Sequence, residues 1–495
     1  MAMNWLKATR ILPVKKNEDT AQPPEPRYSS GPDEHALFSN YRMSLPLLIC
    51  WFLLLAFGFL MMFSASYGTS FVMTSVDYAT SKTDGIEEPP VVAVIPEADA
   101  SHLARRHAGV TLISVLLSIV FAFFVPFRQL TRKRLGYFVW FLVAPLLVAC
   151  PFSAPINGAR RWLNLGAFSF QPSELAKIAL IFFLANYFTV RSYERRREQQ
   201  AGVRALASSS RDVRDVRRDD RNAVSRARQS VWKKAYIDVT KPALMSLLWV
   251  VLVLIQPHLS GAIILILLTL VMFFLAGIPK RSLILGGLQV LAIVLVLLTL
   301  VAVLYPYFDD EHTSFSAMVD ARFSYARQRV STFNNPEAAT SDERMQVTQA
   351  EIALGSGGFS GKGFGTSVQK LNWLSEAHND FIFPIVGEEL GFVGVLTVMA
   401  LFLLFLVCGL SIARRANSKM ARLAAAGYTI FIVLQAFLNM GVAVGIMPAT
   451  GISLPFFSYG GTSNLFFCAA VGMLLCISKS ATEADQELSI IMEEN

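Results

Sequence analysis

The sequence predicts an all-α polytopic membrane protein, with ten transmembrane helices and a large extracytoplasmic loop between the seventh and eighth. Three observations carry this prediction. Of 495 residues, 54% are hydrophobic and 16% charged, with a mean hydropathy of +0.47, a balance that excludes a soluble globular domain. Apolar runs near the ~20 residues that cross a bilayer recur along the chain. Arg and Lys concentrate in alternate connections between those runs.

Residues 1–44 hold Pro, Asp, Glu and Lys around a QPPEP run, without an early apolar core. They read as a disordered arm with no cleavable signal, so the first apolar run, 45–67, is expected to stay as an anchor. Further spans are expected at 109–126, 136–152, 173–190, 242–257, 259–277, 283–305, 381–412, 425–446 and 463–478, with a tail at 479–495. Positive charge collects in the arm, in 128–134, in 191–241, at Lys280 and Arg281, and in 414–422. The positive-inside rule then places both termini in the cytoplasm. The opposite face carries 68–108, with an acidic patch at Glu87, Glu88, Glu97 and Asp99, together with 153–172, 306–380 and 447–462.

The net charge of +8 is therefore mostly topological. The Arg-rich stretch 191–241 reads as a mixed-charge, partly helical cytoplasmic linker; it lacks interleaved aromatics, so no nucleic-acid partner is expected. Cys50, Cys150, Cys408, Cys468 and Cys476 all sit in apolar segments, as buried small side chains rather than a disulfide framework or metal site.

The chemistry concentrates on the outer face. Asp380 ends a glycine-rich polar loop and opens an apolar helix, where a carboxylate is costly unless it is paired or faces a watery cavity. A helix N-terminus there favours its ionised form. Gly387 and Gly391 share a face with Asp380 and form a small-xxx-small pair that lets another helix approach. Glu389 falls opposite Asp380 and Glu388 about a quarter turn away, so all three share one cavity only if Pro384 bends the helix. Asp380 is then the carboxylate exposed to substrate, while Glu388 and Glu389 make interhelical hydrogen bonds or ion pairs.

Three other clusters join it. GSGGFSGKGFG, 355–365, could cradle phosphate through backbone N–H groups with Lys362 as the cation, but it lacks the strand and GK[ST] ending of a nucleotide-binding loop. In 157–177, Glu174 and Lys177 share a helix face, either as a structural ion pair or with a substrate role. Arg161, Trp162 and Lys177 together suit a pyrophosphate attached to a lipid and a sugar. His258, in the QPHLSG turn at 256–261, reads as a packing histidine. The irregular stretch 447–464 is expected to wall the same cavity.

These motifs, in this order, resemble the SEDS proteins, the group of FtsW and RodA. The resemblance runs from Ser44 to Ser478 through FSAS (63–66), NGAxRW with QPSELAK, the Gln-Pro turn at 256, GSGG-GKGxG, EAHxDFIF with GEELGFVG, and PxTGxxLPFxSYGGxS. It implies a ten-helix peptidoglycan glycosyltransferase of the bacterial inner membrane. Such enzymes polymerise lipid II, a disaccharide-pentapeptide on undecaprenyl pyrophosphate, with a class B penicillin-binding protein and other divisome or elongasome membrane proteins as partners.

Carried over by position, the resemblance makes Asp380 the catalytic residue with His378 beside it. Arg161, Trp162, Glu174, Lys177, Lys362, His378 and Ser458 are expected to bind substrate. A divalent cation, Mg or Mn, is a candidate cofactor, with no metal site assigned. Ser375 stands where the family often has Pro, Asn379 where Thr is usual, Asn372 where division-type members can carry Glu, and Thr450 where some carry Lys. A lipid II flippase and a non-catalytic scaffold for a penicillin-binding protein are the alternatives. The sequence leaves division, elongation and sporulation equally open.

Overall fold

The computed structural model describes residues 43–479 except 73, 75–98, 126–129, 131, 155–159, 165–168, 210–230, 257, 309–323, 325, 326, 328, 330, 332, 334–340, 372, 449 and 450. The expected disordered arm, most of the tail, the acidic patch at 87–97, and positions Asn372 and Thr450 lie outside the described residues.

In a bilayer every backbone polar group must be satisfied internally, so long apolar runs become helices. The helices are α1 (Leu45–Ala65), α2 (His102–Phe124), α3 (Lys133–Ala149), α4 (Pro172–Ser209), α5 (Lys241–Ile255), α6 (Leu259–Leu275), α7 (Lys280–Phe308), α8 (Ser341–Ser356), α9 (Ile382–Arg415), α10 (Lys419–Ala443) and α11 (Gly461–Lys479). A π-helical turn, Tyr236–Thr240, leads into α5, and a short antiparallel ribbon pairs β1 (Leu163–Asn164) with β2 (Ser169–Phe170). Among the described residues, nine helices are long and apolar enough to cross a membrane. The remaining expected span is α6, 17 residues long, at the short end of what a bilayer requires.

Two boundaries differ from the sequence reading. α2 begins at His102 rather than 109, taking Arg105, Arg106 and His107 into the helix. α4 continues through the start of the expected linker, where its buried Arg191 is partnered rather than solvated. Arg191, 3% exposed, donates to Asp238 at 2.6 Å and to Glu198 at 2.9 Å.

α4, α10 and α11 form the interior: 83%, 78% and 78% of their apolar windows are buried, against 6% for α7. α2 lies close against α11, where a Cβ on Gly472 would stand 2.5 Å from the Ser118 carbonyl. α1 and α8 both pack on α9.

α9 is not one continuous helix. It breaks at Gly391 (φ 65°, ψ −161°), a conformation that L side chains avoid. Pro384 lies in the first turn, where its missing N–H costs nothing, and the helix breaks at Gly391 rather than there. The break frees backbone groups that the glycine loop then satisfies. Lys362 and Gly363 amides donate to the Glu388 and Glu389 carbonyls at 3.0 and 2.9 Å, while Phe392 and Val393 amides donate to Gly358 and Phe359 at 2.9 and 3.2 Å. A Cβ on Gly361 would sit 2.2 Å from the Glu389 carbonyl, so only glycine admits this approach. The Gly387/Gly391 face thus receives this loop and Leu354 of α8 rather than another membrane helix.

Candidate functional site

Asp380 sits two residues before α9, and its backbone is pinned from two sides. Asn439 of α10 donates its side-chain amide to the Asp380 carbonyl at 2.8 Å and to the Ile452 carbonyl at 2.6 Å. Ser458 donates to the Asn379 carbonyl at 2.7 Å and accepts from the Leu454 amide at 2.7 Å. The Tyr459 amide donates to the His378 carbonyl at 2.8 Å. Ser458 and Tyr459, in the stretch 447–464, thus grip residues 378 and 379 by their backbone, and Asn439 of α10 grips 380.

The Asp380 side chain is treated differently. It is half-buried, and Gly451 (φ 63°) lies beside it, where a Cβ would stand 3.1 Å from Oδ2. Among the described residues none donates a hydrogen bond to this carboxylate. Burial pushes its pKa up from 3.8 to about 6; Glu376 adds to the rise, and Arg329 and Arg161 oppose it. Removal from water therefore outweighs the helix-terminus effect expected to favour the charged form.

The same electrostatic neighbourhood reaches α4. Glu174 also bears on Asp380, and Lys177 donates to Glu174 at 2.7 Å and to Gln435 at 2.9 Å. Lys177 is 1% exposed and lies 5.5 Å from the centre of the Phe431 ring. Gln435 in turn reaches Ser453, 3.3 Å to its hydroxyl, so this buried polar chain braces the loop that grips residues 378 and 379. The structural ion pair between Glu174 and Lys177 is present and stands next to the site.

His258 also belongs to this neighbourhood. Its Nδ1 is 3.1 Å from the Ser173 hydroxyl. Burial first, then Arg161 and Lys177, hold its pKa well below the usual range, so the ring is neutral. His378 is buried against Tyr459 at 5.7 Å, with Nδ1 unpartnered among the described residues. Burial lowers its pKa, with Glu376 opposing.

Two expected residues stand apart. Lys362 is held by the Glu388 carboxylate at 2.8 Å, which also accepts from Ser367 Oγ and from the Val368 and Gln369 amides. Glu389 accepts from Lys370 at 2.8 Å and from Ser64 of α1 at 2.6 Å. In the glycine loop the amides at 361–363 serve carbonyls of the loop and of α9 and so are not free to cradle phosphate. Trp162 is half-buried beside β1, without a described ring or cation contact.

Sequence reasoning passed over Gln435, Asn439 and Arg329. The first two are legible as polar residues four apart on one face of an apolar span, where such groups are costly without partners. Arg329 is helical in the structure, within the connection 306–380, and the sequence reading singled out no residue between 306 and 350.

The family model for FtsW, RodA and SpoVE, described as cell cycle protein, matches residues 91–483. The probable peptidoglycan glycosyltransferase FtsW of Thioalkalivibrio sulfidiphilus is 32% identical over 388 residues, covering 77% of this chain and 81% of that protein. Its namesake in Legionella pneumophila is 31% identical over 74% of this chain and 84% of that protein. Among solved structures, a chain from a peptidoglycan synthase complex that coordinates polymerization and crosslinking is 25% identical with a TM-score of 0.54, covering 88% of this chain and 98% of that one. The Thermus thermophilus rod shape determining protein RodA shares the fold at 23% identity and a TM-score of 0.50, covering 88% and 97%. With its helical membrane core and this breadth of match, the chain belongs to the FtsW/RodA/SpoVE family.

Proposed function

We propose that this multi-pass membrane protein is a peptidoglycan glycosyltransferase that polymerises lipid II with Asp380 as general base. The observation that carries the assignment of the base is the Asp380 carboxylate itself: fixed by its backbone, without a described hydrogen-bond donor, and near two arginines. A base must be ionisable near the working pH and free to take a proton, and a pKa of about 6 meets the first need.

In the proposed step, the Asp380 carboxylate removes the proton of an acceptor sugar hydroxyl as that oxygen bonds to the donor's anomeric carbon. The bond from this carbon to the pyrophosphate oxygen breaks, and undecaprenyl pyrophosphate leaves with the electron pair. Attack from the face opposite the leaving group inverts an α-linked donor to a β-linkage. Arg161 and Arg329, which bear on the same site, are placed to offset charge developing on the pyrophosphate. Lys177 acts through Gln435 and Ser453, as a positioning residue.

A divalent ion such as Mg²⁺ or Mn²⁺ would be held mainly by pyrophosphate oxygens and water, a common mode for magnesium. Among the described residues no group of three or more His, Cys, Asp or Glu converges to hold one. The solved synthase complex, in which polymerization and crosslinking are coordinated, supports a class B penicillin-binding protein as partner.

The test is polymerisation of labelled lipid II by the purified protein, with and without such a partner, comparing wild type with Asp380→Asn. Long glycan chains from wild type and none from a folded variant support the proposal. Equal polymer from both removes Asp380 from the mechanism.

A further inference from the structure

A second polar centre lies on the face that carries the Arg-rich segment, and the proposed reaction makes no use of it. A cavity of about 90 Å³ opens between the first turn of α3, one face of α4 and the π-helical entry to α5. Lys133, Tyr137, Tyr187, Arg191, Glu194 and Lys241 line it. Three of these are cations and one is a carboxylate.

The pairing inside this cavity is incomplete. Arg191 is 3% exposed and donates through Nε to Asp238 and through Nη1 to Glu194 and Glu198, yet its buried Nη2 has no acceptor among the described residues. A buried guanidinium N–H without a partner is uncommon in a native structure and marks a place where an anion or water belongs. Lys241 lies over the Tyr137 ring at 5.1 Å and forms no salt bridge with a described carboxylate. Lys133 meets Glu194 at 3.0 Å, but both side chains are substantially exposed, at 57% and 40%, so that pair is weak and open to exchange.

The rest of the lining decides what kind of anion fits. Phe183, Val190 and Ile237 adjoin the cations, and the Tyr187 hydroxyl is occupied by the Ile237 carbonyl at 2.5 Å. Apolar walls beside converging cations, at the level where three membrane helices leave the apolar layer, suit a phosphate that carries acyl chains. They suit a free, fully hydrated phosphate poorly. We propose that this cavity binds the phosphate head group of an anionic phospholipid from the leaflet on the Arg-rich face. Basic pockets between transmembrane helices recognise lipid head groups by this chemistry.

The test uses the full-length protein released from bilayers of mixed phosphatidylcholine and phosphatidylglycerol, with retained lipids counted by native mass spectrometry. Wild type should retain phosphatidylglycerol in preference to phosphatidylcholine. The double variant Lys133→Gln/Lys241→Gln should weaken that retention roughly 25-fold, at roughly fivefold for each lysine. Lys280→Gln, a cation at the start of α7 away from the cavity, serves as the control and should leave retention unchanged. Equal retention of the two lipids by wild type, or equal retention of phosphatidylglycerol by the double variant, overturns the proposal. Displacement of the retained lipid by inorganic phosphate at equal concentration overturns the assignment to a lipid and leaves a free-phosphate site.

Discussion

Asp380 lies just before α9, and Glu388 and Glu389 lie in its opening turns, yet the two regions treat a carboxylate in opposite ways. Around Asp380, Asn439, Ser458 and Tyr459 all bond to backbone atoms of 378–380, and none of them touches the acid. Around Glu388 and Glu389 the donors go to the acids themselves: Lys362, Ser367, Val368 and Gln369 for one, Lys370 and Ser64 for the other. Glu388 is bonded through both oxygens and Glu389 through Oε1, its buried Oε2 having no partner among the described residues, and both acids hold a loop in place. A carboxylate whose backbone is held, and whose oxygens accept from none of the described residues, can exchange a proton.

That contrast is sharpened first by substituting Asp380. Asp380→Asn should lower lipid II polymerisation by about 10² to 10⁴-fold, the usual worth of a general base. At pH 7 it should not lower the melting temperature, because the site already disfavours the charged form. Glu389→Ala should do the reverse, since it leaves the buried Lys370 ammonium (4% exposed) without its carboxylate. Breaking such a pair costs about 3–5 kcal/mol, read as a marked fall in the thermal midpoint.

The next effect is on pH. The Asp380 pKa is raised to about 6, so the protonated form gains population as pH falls through that value and the base is lost. kcat/KM for polymerisation should therefore be level above pH 7 and fall toward tenfold per unit below about 6. A profile flat down to pH 5 would remove Asp380 from the rate-limiting chemistry.

Smaller effects probe the stapled loop. Gly391→Ala places a side chain at φ 65° and against the Gly361 amide, with a Cβ only 2.3 Å from that nitrogen. That backbone conformation, open essentially to glycine alone, costs a side chain about 1–3 kcal/mol, so thermal denaturation should show a moderate loss. Lys362→Gln should cost least, below about 1 kcal/mol, because its side chain is 36% exposed and solvent screens the pair. An increase in KM for lipid II in that variant would instead return Lys362 to the substrate.

The fold was legible because apolar length and charge alternation act locally along the chain. Asp380 was legible because it is a charge at a membrane helix entrance. The role of GSGGFSGKGFG was not, since its glycines suggest free amides until the break at Gly391 supplies carbonyls to receive them. A break inside an apolar run leaves hydropathy unchanged, and nothing in the pattern marks Gly391 over Gly387 or Gly394. His258 shows the same limit, as only the folded chain brings it to Ser173 and near Arg161.

The most direct test compares Asp380→Asn and Glu389→Ala in one preparation series, with polymerisation and thermal midpoint measured on each. The account predicts that Asp380→Asn is stable and inactive, while Glu389→Ala is destabilised and retains polymerisation in proportion to its folded fraction. Wild-type polymerisation by a folded Asp380→Asn, or a fully stable Glu389→Ala without activity, would contradict it.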